Sequence, residues 1–244
     1  MQHPGRRVVP ISDLELRIGM KKTLCLSLMK RSADECSKAM ASSDADMIEH
    51  RLDFMNRIEG LSAIYNESKV PIIATCRTPR NGGQYAGDEA SRIGHLVEAI
   101  LAGASFVDIE LDTDPTLMNM MRNAAAENDS KLIVSKHYFD STPEISELRS
   151  VLDSLVIVGA DIMKLVTTAN TIDDCGKILH LYHIKSRPAR PMIAFAMGDL
   201  GRFTRLTALY LGAPFMYVSQ DQGKQAASGQ ITLSEMRALL EVLK

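Results

Sequence analysis

The sequence predicts a (β/α)8 TIM barrel. Three observations carry that expectation. Short β-rich runs alternate with longer helical stretches eight times along 244 residues, and such alternation is the pattern of a parallel sheet covered by helices. Eight units in a chain of about 250 residues match the size of a closed barrel. The rival, a doubly wound open sheet, usually has fewer strands, and no G-x-G-x-x-G follows the first strand here.

The elements follow in order. The leading segment "RRVVPISDLELRIG" (6–19) reads as a short N-terminal β-hairpin closing one end of the barrel. Strands are expected at "TLCLSL" (23–28), "ADMIEHRLD" (45–53), "VPIIATCR" (70–77) and "SFVDIEL" (105–111). The second four are "KLIVSKHY" (131–138), "DIMKLV" (161–166), "PMIAFAMG" (191–198) and "PFMYVS" (214–219). Helices are expected over 31–42, 57–67, 88–102, 115–128, 143–154, 170–185, 202–211 and 231–243. Within 88–102, apolar residues at 93, 96, 97, 100 and 101 form one helical stripe. "STPEISELRSVL" places Ser/Thr, Pro and then Glu at a helix start. Thr232 with Glu235 three residues later has the pattern of a capping box. No linker, repeat or low-complexity tract divides the chain, so residues 1–244 read as one barrel domain.

Composition is that of an ordinary soluble protein, with 45% hydrophobic and 24% charged residues. A net charge of −2 gives no general attraction to nucleic acid or to an anionic membrane, so any basic site is local. No run of 18 apolar residues is present to span a membrane, and the N-terminus lacks the apolar core of a signal peptide. Cys25, Cys36, Cys76 and Cys175 are widely spaced with no C-x-x-C, which suits a reducing cytoplasm and indicates neither a disulfide frame nor a zinc site.

In a barrel the chemistry gathers at the C-terminal ends of the strands, and residues two apart in a strand share a face. Glu49, Arg51 and Asp53 share one face of the second strand, with His50 and Leu52 on the other. Arg77 ends the third strand on the face of Thr75. Glu110 ends the fourth with Asp108, and Ser135 and His137 end the fifth. Lys164 lies in the sixth strand with Ile162, and Met197 ends the seventh before "MGDLGRFTR". Each has an ordinary reading. A strand Lys sits on an edge or snorkels. A lone His is structural. Glu49 and Arg51 form an ion pair inside the barrel. Arg77 and Arg205 are solvated.

The set says more than its members. Lys, His, a Glu/Arg pair and further Arg residues at one barrel mouth point to an anionic carbonyl substrate. A neutral amine attacks such a carbonyl, and burial with nearby cations favours the neutral amine. Ile162, Met163, Leu165 and Val166 supply a dry surround. Lys164 is therefore expected to be deprotonated and to form a Schiff base.

Six segments in order resemble one family. "IEHRLDF" resembles an E-x-R-x-D strand, and "ATCRTPRNGGQY" a T-x-R segment followed by paired glycines. "SKHYFDSTP" matches S-x-H-x-F-x-x-T-P, and "ADIMKLV" matches A-D-x-x-K. "MGDLGRFTRL" matches M-G-x-x-G-x-x-S/T-R, and "AASGQ" resembles an A-P-G-Q lid. From about residue 10 to the C-terminus the chain resembles type I 3-dehydroquinate dehydratase, the shikimate-pathway enzyme that works through a Lys imine.

The resemblance implies that Lys164 attacks the C3 ketone of 3-dehydroquinate and that His137 is the general acid/base. It implies that Arg205 grips the substrate carboxylate, and that Glu49, Arg51 and Arg77 orient the ring hydroxyls. Gln230 comes from a lid over 219–230, for which Gly223 and Gly229 are permissive, and Phe139 and Met197 form apolar walls. No metal and no organic cofactor is implied, and the expected assembly is a homodimer. A class I Schiff-base aldolase on the same barrel, or a non-catalytic ligand-binding relative, are the alternatives. The chain departs from the family pattern at Asn81, where many members have Glu, at Ala226 in place of Ser or Thr, and at Ser228 in place of Pro.

Overall fold

Eight parallel strands form one sheet in the order β8-β1-β2-β3-β4-β5-β6-β7 and curl into a nearly closed barrel, with helices between them. The computed structural model describes residues 22–184, 190–220 and 228–243. The expected hairpin over 6–19 lies outside them, as does most of the expected lid, including Gly223 and Ala226. The strands are β1 (Leu24–Leu28), β2 (Met47–Arg51), β3 (Ile72–Thr75), β4 (Phe106–Glu110), β5 (Lys131–His137), β6 (Ile162–Thr168), β7 (Met192–Met197) and β8 (Met216–Val218). The helices are α1 (Ala33–Ser42), α2 (Leu61–Asn66), α3 (Glu89–Leu101), α4 (Pro115–Glu127), α5 (Ile145–Ile157), α6 (Ile172–His180), α7 (Arg202–Leu211) and α8 (Leu233–Val242).

Every residue of β1, β2, β3, β4 and β8 is buried. That follows from a sheet covered on both faces, one by helices and one by the barrel's own interior. Alternation divides each strand. Ile48, Ala74, Val107, Val134 and Leu165 face the helices. The inward set changes character along the barrel axis. Its lower part is apolar, with Met47, Ile73, Phe106, Ile133 and Phe215, and the Phe106 and Phe215 rings lie 6.4 Å apart. Its upper part is polar, with Ser27, Glu49, Thr75, Asp108, Glu110, Ser135 and Lys164 all buried. The register sets neighbours: Ser27 lies opposite Glu49, Glu110 opposite Ser135, and Ser135 opposite Lys164.

Five helices are started by Ser, Thr or Asp side-chain caps. Ser32, Asp88, Asp114, Thr171 and Thr232 each accept a backbone N–H of the first turn, each worth about 1 kcal/mol. The Thr232–Glu235 capping box forms as expected, and Thr171–Asp174 makes a second. The start of α5 is different. The segment expected to be helical from 143 begins at Ile145 with no side-chain cap. Thr142 spends its hydroxyl on Thr167 Oγ1 and Thr168 O, each at 2.9 Å, and so ties the loop after β5 to β6 instead.

Candidate active site

The barrel mouth encloses a cavity of about 250 Å³. Lys164, His137, Glu49, Arg51, Arg77, Arg205, Gln230, Phe139 and Met197 all line it. Nine residues that span the sequence from 49 to 230 are thus brought to one place by strand ends and the loops that follow them.

Lys164 is buried in the middle of β6. The dry surround expected for it is only half correct. Ile162 and Val166 share its face, but Met163 and Leu165 face the helices. Its closest partners come from other strands. Lys164 Nζ donates to Asp108 Oδ2 at 2.8 Å and lies 4.0 Å from the centre of the Tyr217 ring. Ser135 Oγ donates to the other Asp108 oxygen at 2.7 Å. Burial lowers the Lys164 ammonium below its ordinary value, and Arg77 adds to that; Asp108 and Glu49 oppose without reversing it. Burial alone would raise Asp108, but Arg77 and Lys164 hold it well below the carboxylate range. The site therefore keeps a full anion beside an amine that gives up its proton more readily than an exposed lysine.

His137 sits one residue pair beyond Ser135 on the neighbouring strand, opposite Val166. Its ring stacks on Phe139, with centroids 5.8 Å apart and planes 11° from parallel. Nδ1 is buried with no hydrogen-bond partner among the described residues. Burial, with Arg77 and Lys164 close by, holds the imidazole well below its ordinary value, so it is neutral at pH 7. A neutral imidazole beside a cavity is a proton acceptor.

The ion pair expected between Glu49 and Arg51 does not form. Both carboxylate oxygens of Glu49 accept hydroxyl hydrogen bonds, from Ser27 at 2.6 Å and Thr75 at 3.0 Å. Arg51 instead makes a forked pair with Asp53, at 2.9 and 2.7 Å, and reaches Gly82 O at 3.3 Å. The strand ends at Arg51, and a single helical turn over Leu52–Phe54 swings Asp53 back toward the guanidinium.

Arg77 and Arg205 are buried, not solvated. Arg77 Nη1 donates to Glu110 at 3.0 Å and to Ser135 at 3.1 Å, and Nη2 makes a 2.6 Å ion contact with Asp108 that lacks hydrogen-bond alignment. Arg205, on the first turns of α7, lies over the Phe195 ring at 4.1 Å. Its Nη2 reaches Ser228 O at 3.4 Å, and its Nε has no partner among the described residues. Among the described residues no carboxylate pairs with it. Burial and Arg202 push it down to about 9, so it is still a cation at neutral pH. A buried guanidinium with spare donors at a cavity wall is a ready seat for a carboxylate.

Glycines make the close approaches that this packing needs. A Cβ at Gly83 would fall 2.1 Å from Arg77 O, and one at Gly201 would fall 2.4 Å from Met197 O. The paired glycines thus let one loop fold tightly against the segment that presents Arg77, and the M-G-x-x-G segment lets the chain turn tightly from the end of β7 into the helix that presents Arg205. Gln230 follows Gly229 and donates to Ser27 Oγ at 3.4 Å. Asn81 lines the cavity with its amide 3.5 Å from Thr78 Oγ1. Sequence reasoning left Ser27, Tyr217 and Phe195 out of the site, although alternation within β1, β8 and β7 puts each on the inward face. Among the described residues no His, Cys, Asp and Glu group could hold a metal ion.

A family model described as type I 3-dehydroquinase matches residues 24–244. The chain belongs to the type I 3-dehydroquinase family. A 3-dehydroquinate dehydratase of Desulfotalea psychrophila is 33% identical over 219 residues, covering 89% of this chain and 96% of that protein. One of Dehalococcoides mccartyi is 38% identical over 202 residues, covering 83% and 88%. The crystal structure of 3-dehydroquinate dehydratase from Geobacillus kaustophilus superposes with a TM-score of 0.83 at 26% identity, covering 92% of this chain and 91% of that one. Within this dehydroquinase fold the nine cavity residues lie on the segments that carried the resemblance.

Proposed function

We propose that the chain dehydrates 3-dehydroquinate to 3-dehydroshikimate, as a hydro-lyase of the shikimate pathway, through an imine on Lys164. The observation that carries this reading is the meeting of three groups in one cavity: a buried amine, a neutral imidazole on the adjacent strand, and a guanidinium with spare donors. Family membership supplies the substrate class.

The residues divide the work as follows. Arg205 takes the substrate carboxylate in a forked contact. The neutral amine of Lys164 attacks the C3 carbonyl, and loss of water from the adduct gives an iminium. The iminium draws electrons from the ring and makes the C2 proton acidic. His137 takes that proton, giving an enamine. The enamine pushes electrons back, breaks the C1–O bond, and the leaving hydroxyl takes the proton from His137 and departs as water. Water then attacks the iminium, releases the enone and returns Lys164 as an amine. Asp108, at 2.8 Å, accepts a hydrogen bond from Lys164 and balances the iminium charge once it forms. Glu49, Arg51 and Arg77 face the ring hydroxyls, Gln230 covers them, and Phe139 and Met197 flank the ring.

Borohydride reduction in the presence of 3-dehydroquinate tests the reading. The expected result is a stable mass increase on the peptide containing Lys164, together with accumulation of an absorbing enone in the unreduced reaction. Binding of 3-dehydroquinate with neither adduct nor enone overturns it and leaves a ligand-binding relative.

A further inference from the structure

Arg92 belongs to α3, in the outer helical layer, yet it is among the largest fully buried side chains. Its guanidinium passes inward to the ends of β3 and β4. Nη1 donates to Cys76 O at 2.8 Å and to Glu110 Oε2 at 2.7 Å. Nε and Nη2 hold the two oxygens of Glu89 at 2.8 and 2.7 Å, and Nη2 reaches Thr113 Oγ1 at 3.3 Å. The other oxygen of Glu110 is held by Arg77, and Arg77 meets Asp108, which accepts from Lys164. Charges of alternating sign therefore run from Lys164 through Asp108, Arg77, Glu110 and Arg92 to Glu89 near the surface.

We propose that Arg92 is a positioning residue for the reaction: it pins Glu110, and through Glu110 it holds Arg77 across the cavity floor beside the nucleophilic amine. The inference rests on the imine reading above. The physical reason is the cost of a buried charge. Glu110 is buried, and two cations from opposite sides, one per oxygen, keep its carboxylate ionised and fixed. Arg77 and the Cys76 thiol face it from the end of β3, Arg92 from α3, and Asp108 from its own strand, while β5 presents the Ser135 hydroxyl. Burial already raises the Glu110 carboxyl, and the two cations oppose that. Without Arg92 the carboxyl rises further, and once protonated it holds Arg77 only as a neutral acceptor. A loosened Arg77 no longer fixes Asp108, the ring hydroxyls or the charge environment of Lys164.

Three variants of the full chain, assayed with 3-dehydroquinate from pH 6 to pH 9, test this. Arg92→Met is expected to lower kcat on the order of 10-fold at pH 6 with KM little changed, and to regain part of the loss toward pH 9 as Glu110 ionises. Arg92→Lys restores a charge beside Glu110 and is expected to move the acid limb back toward wild type. Glu110→Gln is expected to hold the low rate across the whole range with no recovery. Arg92→Met with the wild-type kcat and pH profile overturns the proposal, and so does an equal, pH-independent loss in all three variants. If Arg92→Met does not fold, Arg92→Lys and Glu110→Gln decide: wild-type kcat in Glu110→Gln overturns the proposal. The two readings fail separately, because a wild-type chain that traps 3-dehydroquinate on Lys164 while these variants track it sinks only the role of Arg92.

Discussion

At the scale of single residues the central fact is a lysine placed in a barrel interior with an anion 2.8 Å away. The proposed imine route places two opposing requirements on Lys164. Attack needs the free amine, which burial favours. The iminium that follows needs a counter-charge, which Asp108 provides. His137 answers the remaining need, a proton acceptor that is not already protonated, and burial keeps it neutral. The proposed route thus assigns imine formation and proton removal to different side chains, which gives a prediction that separates them. His137→Ala is expected to slow turnover roughly 10²- to 10⁴-fold, the usual worth of a positioned acid–base group. The same variant still forms the imine, so borohydride continues to mark Lys164 with 3-dehydroquinate present. An unchanged rate removes His137 from the mechanism. Lys164 and His137 stand out in the sequence because a charged or titratable residue within or at the end of an apolar run is unusual. Asp108 was visible as a face-mate of Glu110, but not as the partner of Lys164. That contact crosses β5, from β4 to β6, and alternation along one strand gives no information about which residues of other strands lie alongside.

At the scale of elements, most strands and helices were legible because period-2 and period-3.6 patterns fix the type of element. Their ends were less so. β2 was expected over 45–53 and spans Met47–Arg51, because the Arg51–Asp53 fork turns the chain out of the sheet. The outward face of β2 carries a feature that only the structure exposes. His50 is fully buried beneath α1 and α2, with Nε2 3.2 Å from Cys36 Sγ and Nδ1 3.1 Å from the Tyr65 hydroxyl. Burial lowers its pKa from 6.5 to about 4, and Asp53 opposes only in part. The sign of the linkage follows directly. In the unfolded chain His50 takes a proton as pH falls through 6.5, while the folded chain resists until about 4. The unfolded state then binds more protons, and stability falls with pH over that window. From pH 7 to pH 5 the expected loss from this one residue is about 2 kcal/mol. In a domain of this size that corresponds to a melting point lowered by about 4–8 °C. His50→Gln, which keeps a polar contact but cannot protonate, is expected to lose that much less between the same two pH values. His137 contributes with the same sign in both proteins, so the difference between the two melts isolates His50. Equal acid sensitivity in the variant and the wild type contradicts the argument.

At the scale of the whole molecule, the cavity lining and its Asp108 partner are assembled from all eight strands or the segments after them, and no single element contains the site. Among the described residues the ladder runs from β7 round to β8 without a β7–β8 rung. One side chain bridges that region instead: Arg205, on the helix after β7, reaches Ser228 O in the segment after β8. A ligand held at once by Arg205, Lys164 and Glu49 spans the same region, linking β7, β6 and β2 across it. Net charge gave no hint of this, because −2 over the whole chain conceals Arg51, Arg77, Lys164 and Arg205 around one cavity that also holds Glu49. The family motifs point to the strand ends that line the cavity, but that no carboxylate among the described residues pairs with Arg205 is a property of three dimensions. Ligand binding should therefore stabilise the entire barrel, and should do so through Arg205 even when chemistry is blocked. Lys164→Met removes the proposed nucleophile and leaves Asp108 held by Arg77 and Ser135, so it is expected to give a protein that binds 3-dehydroquinate without consuming it. At a ligand concentration 100 times Kd the added stability is about 2.7 kcal/mol, which raises the melting point by about 5–11 °C in a chain of this length. Adding Arg205→Met to that variant is expected to abolish the shift at the same concentration, because the carboxylate then enters a cavity wall without its cation. A full thermal shift in the double variant would place the carboxylate elsewhere, with Arg51 or Arg77 as its seat.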